Sequence, residues 1–152
     1  MADDDLVYLA ITRLLGAYAD VSTRKAWSDF PPLVVPDARF TFDTKGGTFE
    51  VVGPDAFAEF GAKSLEGFTF YEYIPLNLVV KADSETAARG RVYSFEVGEE
   101  RETGNWVTFY GLYHDDYVYL DGGWRFASRH YQALARRANE HLDWFPLRDR
   151  AL

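Results

Sequence analysis

Apolar residues recur at helical spacing at the start of the chain. Leu6, Ala10, Leu14 and Tyr18, with Val7, Ile11 and Leu15 beside them, form one stripe. Asp3, Asp4 and Asp5 precede that stripe and suit the positive end of a helix. A second short helix is predicted around Trp27, ended by Pro31-Pro32. "ARFTFD" alternates like a strand, and "GGTFEVV" reads as its return after a glycine turn. Pro54 opens a helix that runs to about Leu65, with Gly67 placed to end it. Four long extended segments follow, two flanking the acidic turn "DSE" and two joined by "DGG". Helices early and a mostly antiparallel sheet later give an α+β fold. A curved sheet wrapped against a long first helix makes a cone with an interior.

Composition sharpens that picture. Aromatic residues make up 17% of the 152 residues, more than a small core needs, which favours a pocket over a solid interior. The net charge is −8 with no basic surface, which argues against nucleic acid or anionic membrane as partner. The absence of cysteine excludes disulfides and thiolate chemistry. No His/Asp/Glu group shows metal-ligand spacing, so neither metal nor cofactor is expected. No signal-like or membrane-length apolar run is present, and the cytoplasm is the expected location. The strand-like pattern yields near Arg136 to a tail, so the expected division is a domain over 1–135 and a tail over 136–152.

The stretch "GLYHDDYVYLDGGWRF" carries the candidate chemistry. Tyr113, Asp115, Tyr117 and Tyr119 lie two apart, so an extended chain sets all four on one face. That face is either wet or lines a pocket.

Four segments, "AYADVSTRKAW", "PDARFTF", "YIPLNLVV…TAARGRVY" and "GLYHDDYVYLDGGWRFASR", resemble the SnoaL-like branch of the nuclear transport factor 2-like superfamily over Asp5 to Leu134. The resemblance implies an α+β cone, commonly a homodimer through the sheet's outer face, and members that include isomerases, dehydratases, polyketide cyclases and non-enzymatic proteins. It puts Tyr18 where the isomerases carry an oxyanion-hole tyrosine, and Phe42 where they keep their base, with Asp43 one step off. Tyr73 and Thr23 occupy the positions of the dehydratases' His–Asp dyad, and Asn77 matches their asparagine. Tyr113, or Asp115 after a slip of two, takes the place of a second catalytic histidine or a protonated aspartate. Arg129 matches a site arginine of the dehydrochlorinase-like members.

Each candidate has a plainer reading. Tyr18 also fits core packing, and Tyr113 with Asp115 also fits a solvated or dimer-facing strand surface. Trp124, Phe126, Ser128 and His130 share a face, which would bring His130 to the pocket as a base; it equally fits a core histidine. Arg129 alternates with His130, so one of the two faces inward unless a bulge intervenes. Asp43 reaches inward only if a bulge at Thr41–Asp43 rotates it.

The sequence therefore leads to a cofactor-independent lyase or isomerase of dehydratase or cyclase type. It would act by proton abstraction beside a carbonyl on a hydrophobic, aromatic or polyketide-like small molecule. Catalytic candidates are Tyr18, Tyr113, Asp115, His130 and Asp43; substrate-binding candidates are Trp27, Phe42, Phe60, Phe70, Tyr73, Asn77 and Arg129. The alternatives are a small-molecule-binding protein that has lost catalysis, and a dimerisation domain with a filled cavity. Two further expectations are a homodimer with Val92, Val107 and Val118 on the outer face, and a tail in which Leu142, Trp144, Phe145 and Leu147 close the cone's mouth.

Overall fold

The computed structural model describes residues 3–139, and the backbone of 141–144. Helix α1 (Asp4–Arg24) starts where the Asp3 carboxylate accepts from the Asp5 and Leu6 amides at 3.1 and 3.4 Å. It ends at Lys25, whose left-handed φ of 56° stops the helix and whose Nζ donates to the Leu65 and Phe68 carbonyls. Val7, Ile11, Leu14, Leu15, Tyr18 and Val21 form its buried face, while Leu6 points to solvent. Around Trp27 two single 3₁₀ turns stand in place of the expected short helix. The second begins on Pro31-Pro32, because proline tolerates a first turn where its missing N–H costs nothing.

Strands β1 (Val34–Thr44) and β2 (Gly47–Val52) form the hairpin, and α2 (Pro54–Leu65) follows. The four long strands are β3 (Phe68–Ala82), β4 (Ala87–Glu100), β5 (Trp106–Leu120) and β6 (Gly123–Ala138). They make an α+β fold with one curved, unclosed sheet in the order β2-β1-β6-β5-β4-β3, in which, among the described residues, only β1 and β6 run parallel. β7 (His141–Trp144) pairs with the end of β6. β6 thus continues past Arg136 without a break, and the tail expected to act as a lid lies largely outside the described residues. Among the described residues, no helix is long and apolar enough to cross a membrane.

Two bulges on β6 decide what faces the interior. Asp116 pairs with Ser128 but Tyr117 with Phe126, leaving Ala127 unmatched; Tyr110 pairs with Ala135 but Gly111 with Ala133, leaving Leu134 unmatched. Each extra residue inverts the strand's parity, so Phe126, Arg129, Tyr131, Ala133 and Arg136 all serve the concave face. Val92 pairs with Tyr113 within the buried core, and Val107 shares parity with the cavity-lining Phe109. Both valines are therefore on the inner face, not the outer one expected of them; Val118 has the opposite parity and is half-buried.

Candidate functional site

α1, α2 and the concave face of the sheet enclose a cavity of about 490 Å³. Aromatic rings line it from both helices and from the sheet. Phe42, Phe57 and Phe60 pack on one another from β1 and α2, and Tyr113 and Tyr131 face them from β5 and β6 at 5.0 Å from each other. Two glycines make room for these rings. A Cβ at Gly111 would collide with the Tyr131 ring, and one at Gly61 would sit 2.6 Å from that of Trp27.

Four of the polar groups of the lining are phenols, those of Tyr18, Tyr71, Tyr113 and Tyr131. Tyr18 and Tyr113 reach the cavity from α1 and β5. Burial raises both phenols above their ordinary value, so both remain neutral donors at physiological pH. Among the described residues, Glu96 on β4 is the one carboxylate in the lining. The Tyr71 hydroxyl donates to its Oε2 at 2.6 Å. Burial raises the Glu96 carboxyl above its usual range, against the lowering effects of Tyr71 and Arg129.

Beneath the Tyr18 and Tyr113 rings lies a second layer. Arg129 donates from Nε to Asp115 Oδ1 at 2.9 Å and from Nη2 to Oδ2 at 3.1 Å, and the Tyr117 hydroxyl donates to Oδ2 at 2.8 Å. The guanidinium carbon stands 4.3, 4.0 and 4.5 Å from the ring centres of Tyr18, Tyr113 and Phe126. Burial opposes the Arg129 charge, but Asp115 and the phenols outweigh it and hold the guanidinium well above its ordinary value. Burial pushes the Asp115 carboxyl up while Arg129 and Tyr117 pull against it.

The sequence candidates distribute unevenly over this site. Tyr18, Tyr113, Trp27, Phe42 and Phe60 line the cavity. Asp115 and Arg129 lie one layer below it, committed to each other, so Asp115 is no donor to a bound carbonyl. Tyr73 is buried in the same layer, its ring 5.3 Å from Tyr18, with a hydroxyl that finds no partner among the described residues.

Four candidates lie elsewhere. The Ala127 bulge turns Arg129 inward and His130 outward, into an outer-face groove with His114 and Asp116. Asp43 follows Phe42 without a bulge, so it takes the outer face and accepts from Thr48 at 3.3 Å. Phe70 stacks on Trp106 across the outer face, both exposed. Asn77 is exposed within the β3 irregularity between Pro75 and Leu78.

Glu96 was missed by sequence reasoning, and β4 shows why. Its outward residues Tyr93, Phe95 and Val97 are more apolar than the inward Val92, Ser94 and Glu96, so hydrophobicity assigns the wrong face. The signal that could have found it is register: Glu96 pairs with Phe109, which shares the parity of Tyr113. The positions of the absent His–Asp dyad are neighbours in space, the Tyr73 amide donating to Thr23 Oγ1 at 3.0 Å.

Comparison with known proteins agrees with this architecture. The SnoaL-like domain matches residues 6–130. A crystal structure from Novosphingobium aromaticivorans, provisionally named a scytalone dehydratase, is 23% identical with both chains fully covered and a TM-score of 0.82. The hexachlorocyclohexane dehydrochlorinase LinA-type3 from Novosphingobium barchaimii is 16% identical over 95% of this chain and 98% of its own, with a TM-score of 0.79. A nuclear transport factor 2-like superfamily protein from Salmonella enterica is 17% identical over 86% and 92%, with a TM-score of 0.74. No curated protein sequence matches significantly. Identities this low establish the shared fold, whereas the domain match runs from Leu6 to His130, through most of the elements that build the cavity. The chain belongs to the SnoaL-like domain family.

Proposed function

We propose that the protein is a cofactor-independent lyase or isomerase of dehydratase or cyclase type, acting on an aromatic or polyketide-like carbonyl compound. One observation carries this reading: a lone carboxylate of raised proton affinity shares an aromatic cavity with two neutral phenols. In it Glu96 is the general base that removes a proton from the carbon beside the carbonyl. Tyr113 and Tyr18 donate to the oxygen on which negative charge develops. The Tyr71 hydroxyl orients the carboxylate, and the buried Arg129 charge favours an enolate above its flanking rings. His130, Asp43 and Asp115 leave this scheme because none of them lines the cavity.

The test requires no knowledge of the natural substrate. Proton abstraction beside a carbonyl appears in D₂O as deuterium wash-in, followed by NMR on a bicyclic ketone such as 2-tetralone. The protein should accelerate wash-in above the buffer rate, and Tyr113→Phe should reduce that acceleration by about 10²–10³ while the ring stays packed. Binding of the ketone without wash-in would instead favour the non-catalytic binding protein.

The same reading makes the chain a homodimer through the sheet's outer face, where the exposed Phe70–Trp106 stack is apolar area that a second copy would cover. Light scattering at micromolar concentration should show twice the 17.4 kDa chain mass; a species at 17.4 kDa alone removes the dimer.

A further inference from the structure

We infer that the cavity selects ligands carrying an anionic group, and that Arg136, with Lys45 beside it, is the selecting element. This rests on the cavity being the ligand site proposed above. β1 runs parallel to β6 up to Asp43 opposite Gln132, so the turn after Thr44 emerges beside residues 133–136. That register brings Lys45 and Arg136 to the same end of the cavity, and both line it. The end is the mouth, since Lys45, Gly46 and the Arg136 side chain reach solvent while Tyr18 and Tyr113 at the floor are buried.

Arg136 is folded back along the cavity wall. Its guanidinium carbon lies 5.6 Å from the Phe109 ring centre, and Nη2 meets Glu100 Oε1 at 3.3 Å. A planar guanidinium has two edges, so a ligand carboxylate can take one while Glu100 holds the other. The chain has a net charge of −8, so an anionic ligand would be held at this opening by directed contact with Arg136 rather than by the field of the whole protein.

Register also fixes the spacing. Glu96 pairs with Phe109 and Phe109 with Arg136, so the backbones of Glu96 and Arg136 stand two strands apart on one inner row. That is about 10 Å between backbones, room for a ligand of two fused rings that bears a carboxylate. The ligand class is therefore a fused aromatic or polyketide-like carbonyl compound with a carboxylate at the end remote from the carbon that loses its proton.

Isothermal titration of the full chain with 2-naphthoate and its neutral isostere 2-naphthamide tests this without turnover. The wild-type protein should bind naphthoate at least about tenfold more tightly, with a preference that shrinks as salt rises. Arg136→Gln should abolish the preference while still binding both probes, which shows in the same experiment that the variant is folded. Arg136→Lys should restore part of it. Equal affinities in the wild type, or a preference that survives in Arg136→Gln, would overturn the inference and leave the proposed chemistry standing. Failure of both probes to bind would overturn the cavity as ligand site and the inference with it.

Discussion

Replacing Glu96 with Gln is expected to lower proton abstraction by about 10²–10⁴, the usual contribution of a positioned general base. The amide keeps the side chain's shape and can still accept from Tyr71, but it cannot take a proton from carbon. The pH profile gives the sharper result. A base must be ionised, and burial raises the Glu96 carboxyl above its ordinary value. The wild-type rate should therefore rise with pH along a limb centred above the usual glutamate range, and Glu96→Gln should lose that limb. Stability runs the opposite way. A group whose proton affinity is higher in the folded state contributes stability that is full below its unfolded pKa and lost as pH rises through the folded one. At neutral pH Glu96→Gln should thus melt no lower than the wild type, with a flatter dependence on pH. A variant that loses wash-in because it unfolds would refute the assignment.

The order of elements was legible because each rests on a local signal. The helical stripe ending near Tyr18, the glycine turn after Thr44 and Pro54 at a helix start are carried by a few neighbouring residues. β3 runs between two such signals: Gly67 stands before it, and the "DSE" turn after it. The site was legible only where parity runs unbroken. Along β5 no residue is inserted, so Tyr113, Asp115 and Tyr117 are buried together as alternation requires. Along β6 one extra residue, Ala127, exchanges Arg129 for His130, and nothing in the residue types around it announces a bulge. β4 fails for a different reason: its outer side is the greasier one, so a pattern-based reading places Glu96 in solvent. Long-range pairing, which settles both cases, is not a property of either strand alone.

The pair beneath the phenols should control folding more than any other polar contact here. Asp115 and Arg129 are almost wholly buried, and the guanidinium is enclosed by Tyr18, Tyr113 and Phe126. Arg129 cannot shed its proton, so Asp115→Ala leaves an uncompensated charge in the core and strips the Tyr117 hydroxyl of its acceptor. Breaking one side of such a pair costs about 3–5 kcal/mol. At roughly 2–4 °C per kcal/mol for a chain of this size, the melting temperature should fall by about 10 °C. Removing both charges together is a different perturbation. Asp115→Leu with Arg129→Met replaces the pair by apolar side chains of similar volume, and the double variant should be more stable than Asp115→Ala, because no charge is left without water or partner. Thermal unfolding of the three proteins decides the matter: a double variant at least as destabilised as Asp115→Ala would mean that packing around Tyr18 and Tyr113, not the unpaired guanidinium, sets the cost. Deuterium wash-in on the double variant then separates floor from framework. Its phenols are intact and the ion pair beneath them is gone, so a reduced rate at near-normal stability would measure what that pair contributes to the developing enolate.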